Sequence, residues 1–256
     1  MPKVKALNRN GEITWGTAKI PGSGNCNHVF HKTKGITDEQ FQKEVDDYNE
    51  KMTKLLNSKL WSDRLRCARQ GYGLEKLVND NDSEVRAEVA RQGYGHDILV
   101  HDENNSVRYV VALNSYKYDD ILVNDKHHLV RAVVASRGHH LDKLINDPDW
   151  DVRQEVAKQQ YGLDTLINDK SPEVRQEVAA QGYGHDILVH DRNKYVRGEV
   201  ANQGSYLNIL INDEDRMVRE IAEEKIKELE ESKKYSLFSL LKTVLYPRPC
   251  DFLDLF

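Results

Sequence analysis

Cysteine is scarce in this chain. The 256 residues hold three, Cys26, Cys67 and Cys250, an odd and widely spaced set that fits a reducing compartment better than a disulfide framework. Long apolar runs are missing too: no stretch approaches the roughly 20 residues that cross a bilayer, and the N-terminus lacks the apolar core of a signal peptide. A soluble, cytoplasmic protein without membrane association is expected. Positive charge is not in excess, since 37 Lys and Arg face 42 Asp and Glu for a formal charge of −5. A dedicated DNA binder needs a basic field that survives physiological salt, so nucleic acid is not an expected partner. Also absent are a glycine-rich phosphate loop opening a helix after a strand, a Ser-His-Asp set separable from the rest of the pattern, and an unrepeated carboxylate pair. No catalytic residue is assigned, and a non-enzymatic protein is expected.

What the chain does have is a ruler. Arg64, Arg86, Arg108, Arg131, Arg153, Arg175, Arg197 and Arg219 follow one another at 22 residues, apart from one step of 23. From Arg86 onward an aspartate stands six residues before each arginine, namely Asp80, Asp102, Asp125, Asp147, Asp169, Asp191 and Asp213. The unit reads V-R-x-E-V-A-x-Q-G-Y-G-x-D-I-L-V-N-D, as in Val85 to Asp102. A fixed period of this length marks stacked supersecondary units, none of which buries its apolar face alone.

Inside a unit, Val85, Val89 and Ala90 recur at helical spacing with charged residues between them. Asp82 or Ser83 caps the start, and Gly93 and Gly95 supply the φ > 0 conformations that end the helix and turn the chain. His96 to Val100 is long enough only for one or two turns of α or 3₁₀ helix. The predicted fold is all-α, an α-solenoid of 22-residue repeats over residues 58–222. It is preceded by an N-terminal module over 1–57 and followed by a C-terminal cap helix and tail over 223–256.

The recurring Arg and Asp invite a phosphate-binding reading, because arginine prefers planar anions. A charged pair repeated in every unit is instead expected to cap helix ends and bridge neighbours as a structural ladder, with Arg86, Arg108, Arg131, Arg153, Arg175 and Arg197 set against Asp80, Asp102, Asp125, Asp147, Asp169 and Asp191. Tyr72, Tyr94, Tyr161 and Tyr183 share one repeat position and are expected to pack as a ladder of rings.

The V-R-x-x-V-A core, the N-D step and the apolar I-L-V or L-I step over about residues 60–222 resemble the leucine-rich repeat variant, a member of the wider HEAT-like superfamily. The resemblance implies α helices alternating with 3₁₀ helices and a right-handed superhelix. A member of that group carries an iron–sulfur cluster on several N-terminal cysteines; here only Cys26 precedes the repeats, so no cluster is inferred.

Both ends depart from the repeat. Lys5 to Ile20 alternates around Asn10-Gly11, a hairpin signal, and Ile36 to Leu56 reads as an amphipathic helix entered through Thr37. Between them, Cys26, His28 and His31 offer three zinc-type ligands without a fourth; the other reading is a loop with a buried cysteine and hydrogen-bonded histidines, leaving the chain without a cofactor. The segment resembles short N-terminal modules of phage and plasmid proteins of Gram-positive bacteria. At the other end Glu223 to Lys234 reads as a charged helix. Beyond it, Phe252 to Phe256 resembles the bacterial sliding-clamp-binding pentapeptide at Leu253, Asp254, Leu255 and Phe256, with Phe252 in place of its glutamine. A tail folded back on the cap is the alternative.

Specificity in a repeat array resides where units break their consensus. The acid two residues after the ruler arginine becomes Val110 and Val133 in two adjacent central units. Those units also lose the Q-G-Y-G turn, replaced by Asn114-Ser-Tyr-Lys117 and Arg137-Gly-His-His140, and they hold the extra residue and His127-His128. If that position faces solvent, Tyr109, Val110, Tyr116, Tyr118, His127, His128, Val133, His139 and His140 form a partner-binding patch. If it does not, the valines pack against neighbouring units and the histidines are solvated surface residues. The expected function is a protein-interaction scaffold or inhibitor with a protein partner, encoded by a mobile element and acting on a host bacterial protein. The alternatives are a nucleic-acid binder or HEAT-like DNA glycosylase, and a sliding-clamp-binding protein acting through the tail.

Overall fold

The computed structural model describes residues 5–7, 13–15 and 37–245, with side chains from 37 to 234. Strand β1 (Lys5–Leu7) pairs antiparallel with β2 (Ile13–Trp15). The turn between them, the loop with Cys26, His28 and His31, and the tail with Leu253 to Phe256 lie outside the described residues. The chain divides into two units, Met1–His140 and Leu141–Phe256.

In the first unit, α1 (Asp38–Leu56) is followed by α2 (Trp61–Arg69), α3 (Leu74–Leu77), α4 (Ser83–Arg91), α5 (His96–Leu99), α6 (Asn105–Asn114), a 3₁₀ turn (Tyr116–Tyr118), α7 (Asp119–Leu122) and α8 (His128–Ser136). The second runs α9 (Leu141–Leu144), α10 (Trp150–Lys158), α11 (Leu163–Leu166), α12 (Pro172–Ala180), α13 (His185–Leu188), α14 (Lys194–Asn202), α15 (Leu207–Leu210) and α16 (Arg216–Leu245). Long helices alternate with one-turn helices, and within each unit consecutive long helices pack side by side.

Local chemistry sets this alternation. Asp82, Asn104 and Asn193 accept hydrogen bonds from the second N–H of the helices they precede, satisfying donors that lack an intrahelical partner. At the far end of α4 the Tyr94 N–H returns to Val89 O at 3.3 Å, and Gly95 at φ 64 opens α5. Gly95 is needed twice over, because a Cβ there would lie 2.5 Å from Val78 Cγ2 as well as in the left-handed region. The returns carry i→i+4 bonds, such as Leu99 N to Gly95 O, and are single α turns. The 3₁₀ geometry implied by the resemblance occurs only at Tyr116–Tyr118 among the described residues.

The core of α4, α6, α8, α10, α12 and α14 is one valine–valine–alanine set each, and each short helix buries a leucine, as in Val85, Val89, Ala90 and Leu99; α2 places Cys67 and Ala68 at the corresponding positions. Helix α1, bounded by a Thr37–Gln40 capping box and burying Phe41, Val45 and Met52, packs on α2, where Cys67 Sγ lies 3.6 Å from Met52 O, so it covers one side of the first repeat. Past Ala222 no boundary interrupts the chain: the last ruler arginine, Arg219, and the segment read as a cap helix share α16.

The single 23-residue step falls between α6 and α8. Ser115 is extended at φ −149, and the 3₁₀ turn takes up the extra residue before α7 begins. The Arg–Asp register beyond it is therefore preserved.

Candidate functional site

Six of the ruler arginines are brackets between repeats. Arg64, Arg86, Arg108, Arg153, Arg175 and Arg197 donate from Nε and Nη2 to both oxygens of the aspartate one repeat ahead, Asp80, Asp102, Asp125, Asp169, Asp191 and Asp213 in turn. The Nε distances run from 2.5 Å at Arg108 to 2.7 Å at Arg197. The remaining nitrogen, Nη1, donates to the backbone carbonyl six residues back, which is Ser58 O for Arg64 at 3.0 Å and an aspartate carbonyl afterwards, as Arg86 does to Asp80 O at 2.7 Å and Arg131 to Asp125 O at 2.8 Å. Each aspartate also accepts the N–H two residues on, including Asp147 from Asp149 at 3.0 Å. The sequence-matched pair six residues apart thus meets through a backbone carbonyl, and the carboxylate partner lies 16 residues ahead, or 17 across the insertion.

Burial pushes the Asp80, Asp125, Asp169 and Asp191 carboxyls upward, but the arginine and backbone donors outweigh it and hold each below its ordinary value. The bond to aspartate raises the partner guanidinium in turn, at Arg64, Arg108, Arg153 and Arg175. With these donors engaged and the arginines largely buried, the ladder offers no free row of cations to a phosphate backbone.

The mid-array residues do not form one patch. Val110 and Val133, only 7% and 8% exposed, pack inward and are not surface anchors, which corrects the patch read on them as solvent-facing. Tyr116 is exposed and Tyr118 half-buried on the turn after α6, where Tyr118 meets His96 edge-on at 6.4 Å between ring centroids. His127 and His128 stack at 4.7 Å, and His127 Nδ1 is buried without a hydrogen-bond partner. The expected tyrosine ladder does not form: Tyr161 and Tyr183 are exposed, and the described ring contacts are His96–Tyr118 and His127–His128.

His139 and His140 are taken up by two residues the sequence gave no reason to single out. Asp119 is buried; His139 Nδ1 lies 2.7 Å from its Oδ2, and Arg137 Nη1 donates to its Oδ1 at 2.9 Å. His140 Nε2 sits 3.0 Å from Asp120. In two other units a histidine caps the end of the preceding long helix, His96 at Ala90 O and His185 at Ala179 O, both at 2.8 Å. Asp119 occupies that histidine's position, and Arg137 from the following repeat bonds to the equivalent carbonyl, Ala112 O. The altered turn therefore keeps a helix carbonyl satisfied by another route.

The outward ridge of α2, α4, α6 and α8 is exposed to solvent. Positions two before and five after each ruler arginine are seven residues apart, two helical turns, and share a face. They are exposed throughout the first unit: Ser62 and Arg69 on α2, Glu84 and Arg91 on α4, Ser106 and Leu113 on α6, Leu129 and Ser136 on α8. On α6 and α8 this ridge has no charge, and Leu113 and Leu129 are 53% and 46% exposed. Tyr109 stands half-buried beside them. Sequence reasoning missed Leu113 and Leu129 because it followed one repeat column, that of Val110 and Val133, while the solvent-facing columns lie three residues after it and four before it. Among the described residues no cluster of His, Cys, Asp and Glu fit for a metal ion occurs, and no helix is long and apolar enough to cross a membrane.

No family model and no curated protein matches the sequence. The chain is similar to a solved structure described as a leucine-rich repeat variant with a novel repetitive protein structural motif, at 27% identity and a TM-score of 0.56, over 75% of this chain and 88% of that one. The repeat array has the architecture of a leucine-rich repeat variant.

Proposed function

We propose that the chain is a non-enzymatic protein-interaction module whose partner docks on the exposed ridge of α6 and α8. The observation that carries this is the run of Ser106, Leu113, Leu129 and Ser136, two adjacent helices whose outermost positions hold no charge and two exposed leucines. Charge depletion around large apolar anchors is the composition of an interface centre. The repeat-protein fold supports a scaffold in general, and the ridge supplies a place on it.

In its fuller form the reading is a scaffold or inhibitor carried by a mobile element and acting on a host bacterial protein in the cytoplasm. Support for that form comes from the resemblance of the N-terminal segment to phage and plasmid modules. Zinc at Cys26, His28 and His31, and clamp binding through Leu253, Asp254, Leu255 and Phe256, rest on sequence alone; elemental analysis and a clamp-binding titration test them. For the main reading, Leu113→Glu with Leu129→Glu abolishes capture of a partner by the immobilised protein while leaving its helical circular dichroism intact. Capture unchanged by the double variant overturns it.

A further inference from the structure

The short helices carry a surface of their own. Residues 92–102 and 181–191 are identical over eleven positions, one stretch in each unit. The fold accounts for part of that identity: Gly95 and Gly184 sit at φ 64, Leu99 and Leu188 are buried, and Asp102 and Asp191 belong to the ladder. It does not account for Ile98 and Ile187, 49% and 56% exposed, at a position filled elsewhere by Lys76, Lys143 and Thr165. Nor does it account for the exposed His101 and His190, where the other repeats hold asparagine. In each unit the next repeat adds a second exposed isoleucine at the same position, Ile121 at 43% and Ile209 at 41%. An apolar step two repeats long therefore occurs twice.

The charge beside the two steps also matches. Asp97 and Asp186, each next to the first isoleucine, are exposed, and their carboxylates have no hydrogen-bond or ion-pair partner among the described residues. Glu75 and Asp164, one repeat earlier, are exposed and unpartnered in the same sense. Beside the second isoleucine neither step has a free carboxylate, because Asp120 is held by His140 at 3.0 Å and the other site has Asn208. Cations nearby are placed elsewhere. In the first unit Lys76 donates to Asn57 Oδ1 at 2.6 Å and Lys117 lies over Tyr118; in the second Lys170 and Arg192 stand by the ladder carboxylates Asp169 and Asp191.

We propose that the two steps are twin docking sites, each for a basic, apolar segment of a partner protein, so that one chain takes the same segment twice. A lysine of the segment pairs with Asp97 or Asp186, and two large apolar side chains cover Ile98 and Ile121 or Ile187 and Ile209. Unpartnered carboxylates set the sign of the occupant's charge, the isoleucines supply anchors that lose water on docking, and the recurrence sets the stoichiometry. Packed helices lie about 8–10 Å apart, which three residues of extended chain cover at about 3.3 Å each. The matching pattern is Lys-Leu-x-x-Leu. This inference stands on the short helices alone and holds whether or not a partner uses the ridge of α6 and α8.

The test uses the full chain, methyl-labelled at isoleucine, and the acetylated, amidated peptide Lys-Leu-Ser-Ala-Leu. Two control peptides carry glutamate for the lysine or serine for both leucines. The lysine peptide is expected to shift the Ile98, Ile121, Ile187 and Ile209 methyl signals saturably, to bind two per chain, and to bind at least about tenfold more tightly than either control. Ile98→Lys with Ile121→Lys removes the first site and leaves the second, so that one peptide binds; the repeat accepts this change, since Lys76 and Lys143 already occupy the position. Asp97→Asn weakens the first site alone and serves if the double variant loses its fold. No saturable shift up to millimolar peptide, one peptide per unaltered chain, or equal binding of the glutamate peptide overturns the proposal. The ridge reading fails separately. Leu113→Glu with Leu129→Glu leaves all four isoleucine shifts in place; their loss in that variant, with its circular dichroism intact, assigns the peptide to the ridge and sinks the twin sites.

Discussion

Cutting one rung of the ladder tests the account of how the repeats hold together. Arg153 is nearly buried and donates four bonds, two to Asp169 at 2.6 and 2.8 Å, one to Asp147 O at 2.7 Å and one to Pro148 O at 3.1 Å. Asp169→Ala strands half of that guanidinium and frees the Ser171 N–H, which the carboxylate accepts at 2.8 Å. Leaving one partner of a buried pair unmatched costs about 3–5 kcal/mol, whereas an exposed pair is worth about 0–1 kcal/mol. The side chains here are 6% and 8% exposed, so the larger figure applies. Repeat arrays depart from two-state unfolding, and the loss is local. Hydrogen exchange resolved to peptides from α10 to α12, together with urea unfolding, reads it. The double variant Arg153→Met with Asp169→Leu, which removes both charges and keeps apolar volume, recovers most of the loss. A cost of about 1 kcal/mol or less for Asp169→Ala, or no recovery in the double variant, refutes the view that buried pairing fixes the repeat geometry.

Three further outcomes follow from the same geometry. The ladder carboxyls Asp80, Asp125, Asp169 and Asp191 titrate below their unfolded value, so their contribution is fully present above about pH 4 and fades as pH falls below it; acid unfolding followed by circular dichroism shows this, and Asp169→Asn shallows the transition. Gln160 at φ 56 stands where other repeats carry glycine in the same left-handed conformation, so Gln160→Gly stabilises by about 0.5–1 kcal/mol, while Gly95→Ala, driving a Cβ toward Val78, costs about 2–4 kcal/mol by thermal denaturation. Burial pushes the Cys67 thiol up to about 11, so site-resolved alkylation at pH 8 leaves it unmodified until the protein unfolds; prompt modification in the folded state contradicts the packing of α1 on α2.

The sequence by itself determined the repeat. A 22-residue ruler with V-R and V-A at helical spacing, glycines at the turns and an asparagine or aspartate at helix starts leaves little choice of local structure, because each element is set by residues within a few positions of itself. It also singled out Arg and Asp as a ladder. Tertiary structure decided which aspartate each arginine holds, because the bidentate partner comes from the next repeat and no local rule distinguishes it from the one six residues back. It likewise decided that Val110 and Val133 face inward while Leu113 and Leu129 face water. On a helix packed between two neighbours, a position's burial depends on the flanking repeats as much as on its own angle. Asp119, Arg137 and His139 come together for the same reason: the inserted residue moved the turn, and only the packed neighbours show which group then satisfies the exposed end of α6.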